Sequence, residues 1–197
     1  MPGCFCKTNI RGDKVGNILI LGSSGFIGLR LAEALLQHNF NGKIIGYSRN
    51  IPKSLISRPG YIHISGDFTE EQRFPDILKK YDITCIYHCI STTNPHIGTG
   101  CVISEVQENL LPTLRLLEAS AACGIDRLIF ISSGGTVYGE QETVFGHRES
   151  DHLLPICSYG AQKASIEAFL NVYHHVHQMK TIIARVSNPY GYDPREN

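Results

Sequence analysis

A run of four aliphatic residues, Ile18 to Leu21, ends in Gly22-Ser23-Ser24-Gly25-Phe26-Ile27-Gly28. An amphipathic stretch follows at once, with Ile27, Leu31 and Leu35 on one stripe. This junction admits few solutions, because a strand has to turn tightly into a helix within it. The glycines allow the turn and let another group come close to the backbone, and the helix N-terminus beyond offers free N–H groups to an anion. A tight turn alone would use similar glycines, and the spacing is G-x-x-G-x-x-G rather than G-x-G-x-x-G. Its place between strand and helix nevertheless points to a pyrophosphate, and so to a dinucleotide held by Gly22, Gly25, Phe26, Ile27 and Gly28.

The rest of the chain repeats the alternation. Strands are predicted at Lys43 to Tyr47, Tyr61 to Ser65, Ile83 to Cys89, Leu128 to Ser132 and Thr181 to Val186. Helices are predicted at Phe26 to His38, Pro75 to Tyr81, Val106 to Cys123 and Tyr159 to Gln178, with Pro112 bending the third near its start. Near-continuous apolar strands separated by helices imply a parallel sheet covered on both faces, an α/β doubly wound fold. The connection from Gly134 to Ser158 is long for a compact domain and reads as functional. Residues 17–191 read as one domain, with a loose tail at 1–16.

Composition narrows the partners. Among 197 residues, 18 Lys and Arg balance 18 Asp and Glu, so the basic excess of a phosphate-neutralising nucleic-acid binder is missing. No apolar run approaches the roughly 20 residues of a membrane span, and the polar N-terminus does not read as a signal peptide. The expectation is a cytoplasmic protein acting on a small molecule. Seven scattered cysteines have no metal-ligand spacing, and His174, His175 and His177 read as a solvated helix face, so no metal is expected.

A second motif, Tyr159-Gly160-Ala161-Gln162-Lys163, opens the last predicted helix. Residues i and i+4 share a face, so the lysine ammonium can stand near the phenol and favour its ionised form. Such a tyrosine can exchange a proton with an alcohol or sugar hydroxyl. A surface Tyr/Lys pair is the plainer alternative.

Taken together, these two motifs resemble the extended short-chain dehydrogenase/reductase family, in its nucleotide-sugar epimerase/dehydratase branch. Four further segments agree in order: Gly66-Asp67-Phe68; Ile86 to Thr93, with Asn109 in the helix beyond; Ile131-Ser132-Ser133-Gly134-Gly135-Thr136-Val137-Tyr138-Gly139; and Arg185-Val186-Ser187-Asn188-Pro189-Tyr190-Gly191. The resemblance implies a Rossmann-type sheet of strand order 3-2-1-4-5-6 and a bound NAD or NADP that takes a hydride from a nucleotide sugar. Tyr159 would then be the acid/base and Lys163 its tuner and a ribose ligand. Asp67 and Phe68 would lie at the adenine, Ser91 under the cofactor, and Asn188 at the substrate. It also implies a homodimer through the helices at 106–123 and 159–178. A keto-sugar reductase using NADP, or a non-catalytic NAD(P)-binding module, are the alternatives.

Three departures from the family pattern stand out. Gly134 occupies the position of a Ser or Thr that bonds the reacting hydroxyl, so Thr136 or Ser133 must take over; Thr136 is preferred because the glycines free the turn. Ser48 replaces the acidic residue that holds a ribose 2′-hydroxyl, and Arg49 beside it suits a 2′-phosphate, which favours NADP over NAD. Finally, residues 192–197 read as the start of a connection to a substrate domain that is absent, so little activity is expected of this chain alone.

Overall fold

The computed structural model describes residues 16–38, 40–92, 102–140 and 146–191. The segments read from sequence as a tail and as a C-terminal connection, 1–15 and 192–197, lie outside them. Six strands, β1 (Asn17–Leu21), β2 (Ile44–Ser48), β3 (Tyr61–Ser65), β4 (Ile83–His88), β5 (Arg127–Ser133) and β6 (Lys180–Val186), form one sheet in the order β3-β2-β1-β4-β5-β6. Every pairing is parallel. The helices are α1 (Phe26–Gln37), α2 (Phe74–Lys80), α3 (Val102–Glu105), α4 (Leu111–Ala122) and α5 (Ser158–His177). The chain therefore has the expected Rossmann-type topology, and strand order reverses between β1 and β4.

The alternation of β1 explains how one strand supports both layers. Ile18 and Ile20 pack with Leu29 and Ala32 of α1 on one face. Leu19 and Leu21 pack on the other with Phe74, Leu116, Leu117, Phe130 and Leu170, from α2, α4, β5 and α5. Cover on the two faces is unequal, since Ile182 of the edge strand β6 is half exposed whereas its neighbour Ile183 packs against the core.

The third helix differs from its expected form. Helical structure begins at Val102 and passes through a π turn, Val106–Leu110, before α4. Pro112 is buried in the first turn of α4. Proline has no N–H for the preceding turn and its ring crowds the carbonyl there; the wider π turn accommodates both, where a simple bend was expected.

Candidate functional site

The glycine turn is as tight as its sequence suggests. Gly22 has φ +80°, a region that L side chains rarely adopt, and its N–H donates to the Tyr47 carbonyl at 2.8 Å. Gly25 caps α1 and donates to the Gly22 carbonyl at 2.9 Å. A Cβ on Gly28 would lie 2.3 Å from the Gly22 carbonyl oxygen, so the first turn of α1 can close onto the loop only without a side chain. The amides at the start of α1 are thus left facing the C-terminal edge of the sheet, where a pyrophosphate fits.

Two neighbouring connections converge on this turn. The Cys89 N–H donates to the Leu21 carbonyl at 3.0 Å, and the Ile90 side chain lies 3.1 Å from where a Gly22 Cβ would be. Ile90 and Ser91 in turn line a small pocket with His88, Asn109, Tyr159 and Lys163. From the far side, the Phe26 ring comes within 3.9 Å of a Cβ built on Gly191, which brings the segment carrying exposed Asn188 beside α1. The glycine turn and the Tyr159/Lys163 pair therefore flank one crevice, at the point where strand order reverses.

Lys163 is the most constrained charge in that crevice. Only 6% exposed, its Nζ donates to the Ile131 carbonyl at 2.9 Å and stands 4.6 Å from the Phe130 ring centre and 5.6 Å from that of Tyr159. Burial pulls its pKa down to about 8, against the opposing influence of Cys89 and Glu167. His88, buried and bonded to the Thr113 hydroxyl at 2.9 Å, is held neutral with its pKa pushed down to about 3, by burial first and then by Lys163. The thiol of Cys89 is pushed the other way, to about 12, by burial.

Tyr159 differs from the sequence-based picture in two respects. Burial raises its pKa, and the Ser133 hydroxyl opposes the rise; in the protein alone Lys163 does not offset the burial. Ser133 is thus a hydroxyl beside the phenol. The Thr136 Oγ1 is buried without a hydrogen-bond partner, and its carbonyl faces Gly160, where a Cβ would meet it at 2.5 Å. Gly134 also has a geometric reason: its N–H donates to the Val186 carbonyl at 2.8 Å, and a Cβ there would lie 2.9 Å from the Arg185 carbonyl oxygen.

Behind the tyrosine runs a network that the sequence motifs did not single out. Glu167, 4% exposed, receives the Ser132 hydroxyl at 2.5 Å and the Arg185 guanidinium at 2.7 Å. Arg185 also donates to the Tyr138 hydroxyl at 2.7 Å and to the Glu149 carbonyl at 2.8 Å. It therefore ties β5, α5, β6 and the long connection together, and Tyr138 stacks on His147 of that connection at 4.6 Å. Asn109 plays a similar part on the other wall, bonding both the Thr92 N–H at 2.9 Å and the Thr92 hydroxyl at 2.7 Å, so the β4 connection is fixed to the π turn. Asn109 belongs to the segments that carry the family resemblance.

At the adenosine end the assignments separate. Asp67 accepts the Thr69 N–H and hydroxyl at 3.0 and 2.8 Å, and these bonds lower its pKa. The Phe68 ring is 4% exposed and packs on Phe74 and His88, so only its main chain can face a cofactor. Arg49 is exposed and close enough to Asp67 to lower that carboxylate further, whereas Ser48 is 7% exposed and turned inward. Among the described residues no group of three or more His, Cys, Asp and Glu could hold a metal ion, and no helix is long and apolar enough to cross a membrane.

Comparisons with known proteins agree with this geometry. The dTDP-4-dehydro-6-deoxyglucose reductase of Escherichia coli is 29% identical over 180 residues, which cover 88% of this chain and 56% of the relative. A putative UDP-glucose 4-epimerase of Methanocaldococcus jannaschii is 28% identical, with the same coverage. The solved UDP-glucose 4-epimerase of Thermotoga maritima with UDP-glucose superposes with a TM-score of 0.80 at 26% identity, over 89% of this chain and 56% of that one. The UDP-glucuronic acid 4-epimerase of Bacillus cereus with NAD superposes at 0.77 and 29% identity, over 89% and 58%. The chain thus spans a little over half the length of these relatives. A model of the NAD dependent epimerase/dehydratase family matches residues 18–197, nearly the whole described sheet and its connections, and the chain belongs to that family.

Proposed function

We propose that this protein binds a nicotinamide dinucleotide, NADP ahead of NAD, and acts on a nucleotide sugar in an epimerase- or dehydratase-type reaction. The observation that carries the reading is the convergence of the glycine turn with a half-buried Tyr159, the Ser133 hydroxyl beside it and a buried Lys163 in one crevice. Related structures hold NAD or UDP-glucose, which supports both ligand classes. Gly22, Gly25, Phe26, Ile27 and Gly28 would hold the pyrophosphate and Arg49 a ribose 2′-phosphate. Asp67 and the Phe68 main chain would lie at the adenine, with Ser91 beneath the cofactor. When bound, the cofactor supplies the hydride acceptor.

The chain's own residues handle the proton and the orientation. The Tyr159 phenol would take the proton of a sugar hydroxyl, with the Ser133 hydroxyl beside it to direct it. Lys163 is the nearby cation that stabilises the phenolate, acting in a dry wall where its charge is weakly screened. Burial of the lysine by Phe130 and the Ile131 carbonyl keeps it in place for a ribose hydroxyl as well. Asn188 is placed to meet the substrate on the exposed side. A homodimer through the helical layer is part of the same reading, since Ile103, Leu111, Phe169 and Val172 are exposed on α3, α4 and α5.

The test uses the purified protein with UDP-glucose and dTDP-glucose as probes, following cofactor reduction and the sugar products with NADP+ and NAD+. Tyr159→Phe is expected to lose turnover by at least about a hundredfold while cofactor affinity is unchanged. Turnover that survives in Tyr159→Phe would remove the tyrosine from the mechanism. Weak turnover is expected of this chain alone, and cofactor binding with no chemistry at all would support a non-catalytic module instead.

A further inference from the structure

One polar feature beneath the glycine turn belongs to no motif. The Tyr61 hydroxyl of β3 reaches under β2 and donates to Ser23 Oγ at 3.1 Å; Ser23 Oγ lies 3.0 Å from Ser48 Oγ, and Ser48 Oγ donates to the Asn50 carbonyl at 2.9 Å. Because the Ser48 proton goes to Asn50, the Ser23 proton must go to Ser48. Three hydroxyls therefore form one directed chain, Tyr61 to Ser23 to Ser48 to the Asn50 carbonyl, in which every proton is engaged. Ser23 is fully buried and Ser48 nearly so. The route exists because position 46 is glycine: a Cβ there would fall 1.9 Å from the Tyr61 oxygen and 2.6 Å from Ser23 Oγ. A glycine inside a strand often marks the close approach of another group, and here that group is a phenol.

The ends of this chain are the two parts that a bound dinucleotide would touch. Ser23 is in the turn between Gly22 and Gly25, and Asn50 follows Arg49 in the loop after β2. We propose that Tyr61 is a positioning residue for the cofactor: its phenol locks the glycine turn to the end of β2, so the pyrophosphate cradle and the adenosine-ribose loop are held at a fixed separation before the ligand arrives. Pre-ordering of two contact segments raises affinity by removing the cost of arranging them on binding. The same proton order has a second consequence. Ser48 has no proton left for a ribose hydroxyl or phosphate, so discrimination between NADP and NAD falls to Arg49. This inference rests on the cofactor reading above.

The experiment is calorimetric titration of the purified protein with NADP+, NAD+ and adenosine 2′,5′-bisphosphate, alongside thermal melting without ligand. The variants are Tyr61→Phe, Ser23→Ala, their double, and Arg49→Ala. Tyr61→Phe is expected to weaken all three ligands by a common factor of about five- to tenfold, the worth of one buried hydrogen bond, and to leave the NADP/NAD ratio unchanged. Arg49→Ala is expected to collapse that ratio instead. The double variant should be no weaker than Ser23→Ala alone, as members of one chain require. A lower melting temperature in Tyr61→Phe with affinities within twofold of wild type would make the phenol purely structural and overturn the inference, with the cofactor reading intact. A wild type that binds none of the three would overturn both.

Discussion

The two walls of the crevice are built on opposite physical terms. The β1–α1–β2 wall contains backbone, glycines and short hydroxyls; among its described residues the buried side-chain polar atoms are hydrogen-bonded and none carries a buried charge. The β4–β5–α5 wall buries a lysine, a carboxylate and a histidine, and leaves His88 Nδ1, Thr136 Oγ1, Glu105 Oε1 and Ser158 Oγ without partners. A satisfied wall stabilises the fold and presents a fixed shape. An under-satisfied one costs stability, and strained pKa values of this kind gather where protons are moved. The difference accords with the proposal that one side binds and the other carries the chemistry.

The largest expected effect comes from the charged wall. Arg185→Met leaves buried Glu167 with the Ser132 hydrogen bond and Lys163 as the remaining nearby cation, and should cost about 4 kcal/mol in urea unfolding. A loss below about 1 kcal/mol would mean that water reaches the pair and that this wall is not dry.

Next comes Lys163. Its pKa is lowered from 10.5 to about 8, so the unfolded chain binds more protons than the folded one between those values. Its contribution is therefore a penalty that is complete below pH 8 and fades as pH rises towards 10.5. Lys163→Met should be more stable than wild type by about 3 kcal/mol at pH 7, with the difference vanishing near pH 10.5. Cys89 and the buried tyrosines give slopes of opposite sign in the same range, so the reading is the difference between the two proteins. A difference independent of pH would contradict the buried-cation account.

On the satisfied wall the largest loss comes from crowding the turn. Gly28→Ala places a methyl against the Gly22 carbonyl and should cost about 2 kcal/mol, with loss of cofactor affinity, measured by melting and titration. The smallest effect separates two hydroxyls. Ser133→Ala should lower turnover about tenfold and Thr136→Val less than about twofold. The reverse order would return the role to Thr136. Restoring the family's hydroxyl with Gly134→Ser should not help, because its Cβ would press on the Arg185 carbonyl.

The same contrast decides what could be read from sequence. The alternation of parallel strands with helices and the glycine turn are set by local periodicity and spacing and appear where the sequence places them, whereas the strand order follows from the family resemblance. The sequence does not fix which hydroxyl of a glycine-rich turn, Thr136 or Ser133, faces inward, because that depends on packing such as that of the Thr136 carbonyl against Gly160. Phe68 could not be told from a ligand until its ring was seen in the core. The Tyr61 chain depends on two strands and a loop at once, although Gly46 within β2 was a visible hint. The pKa of Tyr159 is not legible in spacing alone, because burial raises it and the Ser133 hydroxyl opposes the rise.

The claim that matters most is that residues 17–191 form a working dinucleotide cradle. Calorimetric titration with NADP+ and NAD+, each at several protein concentrations, tests it directly. The account predicts saturable one-site binding of both, tighter for NADP+, with a matching rise in melting temperature as ligand increases. A well-folded protein that shows neither heat of binding nor any shift in melting would contradict it, and would make the glycine turn a feature of the fold alone.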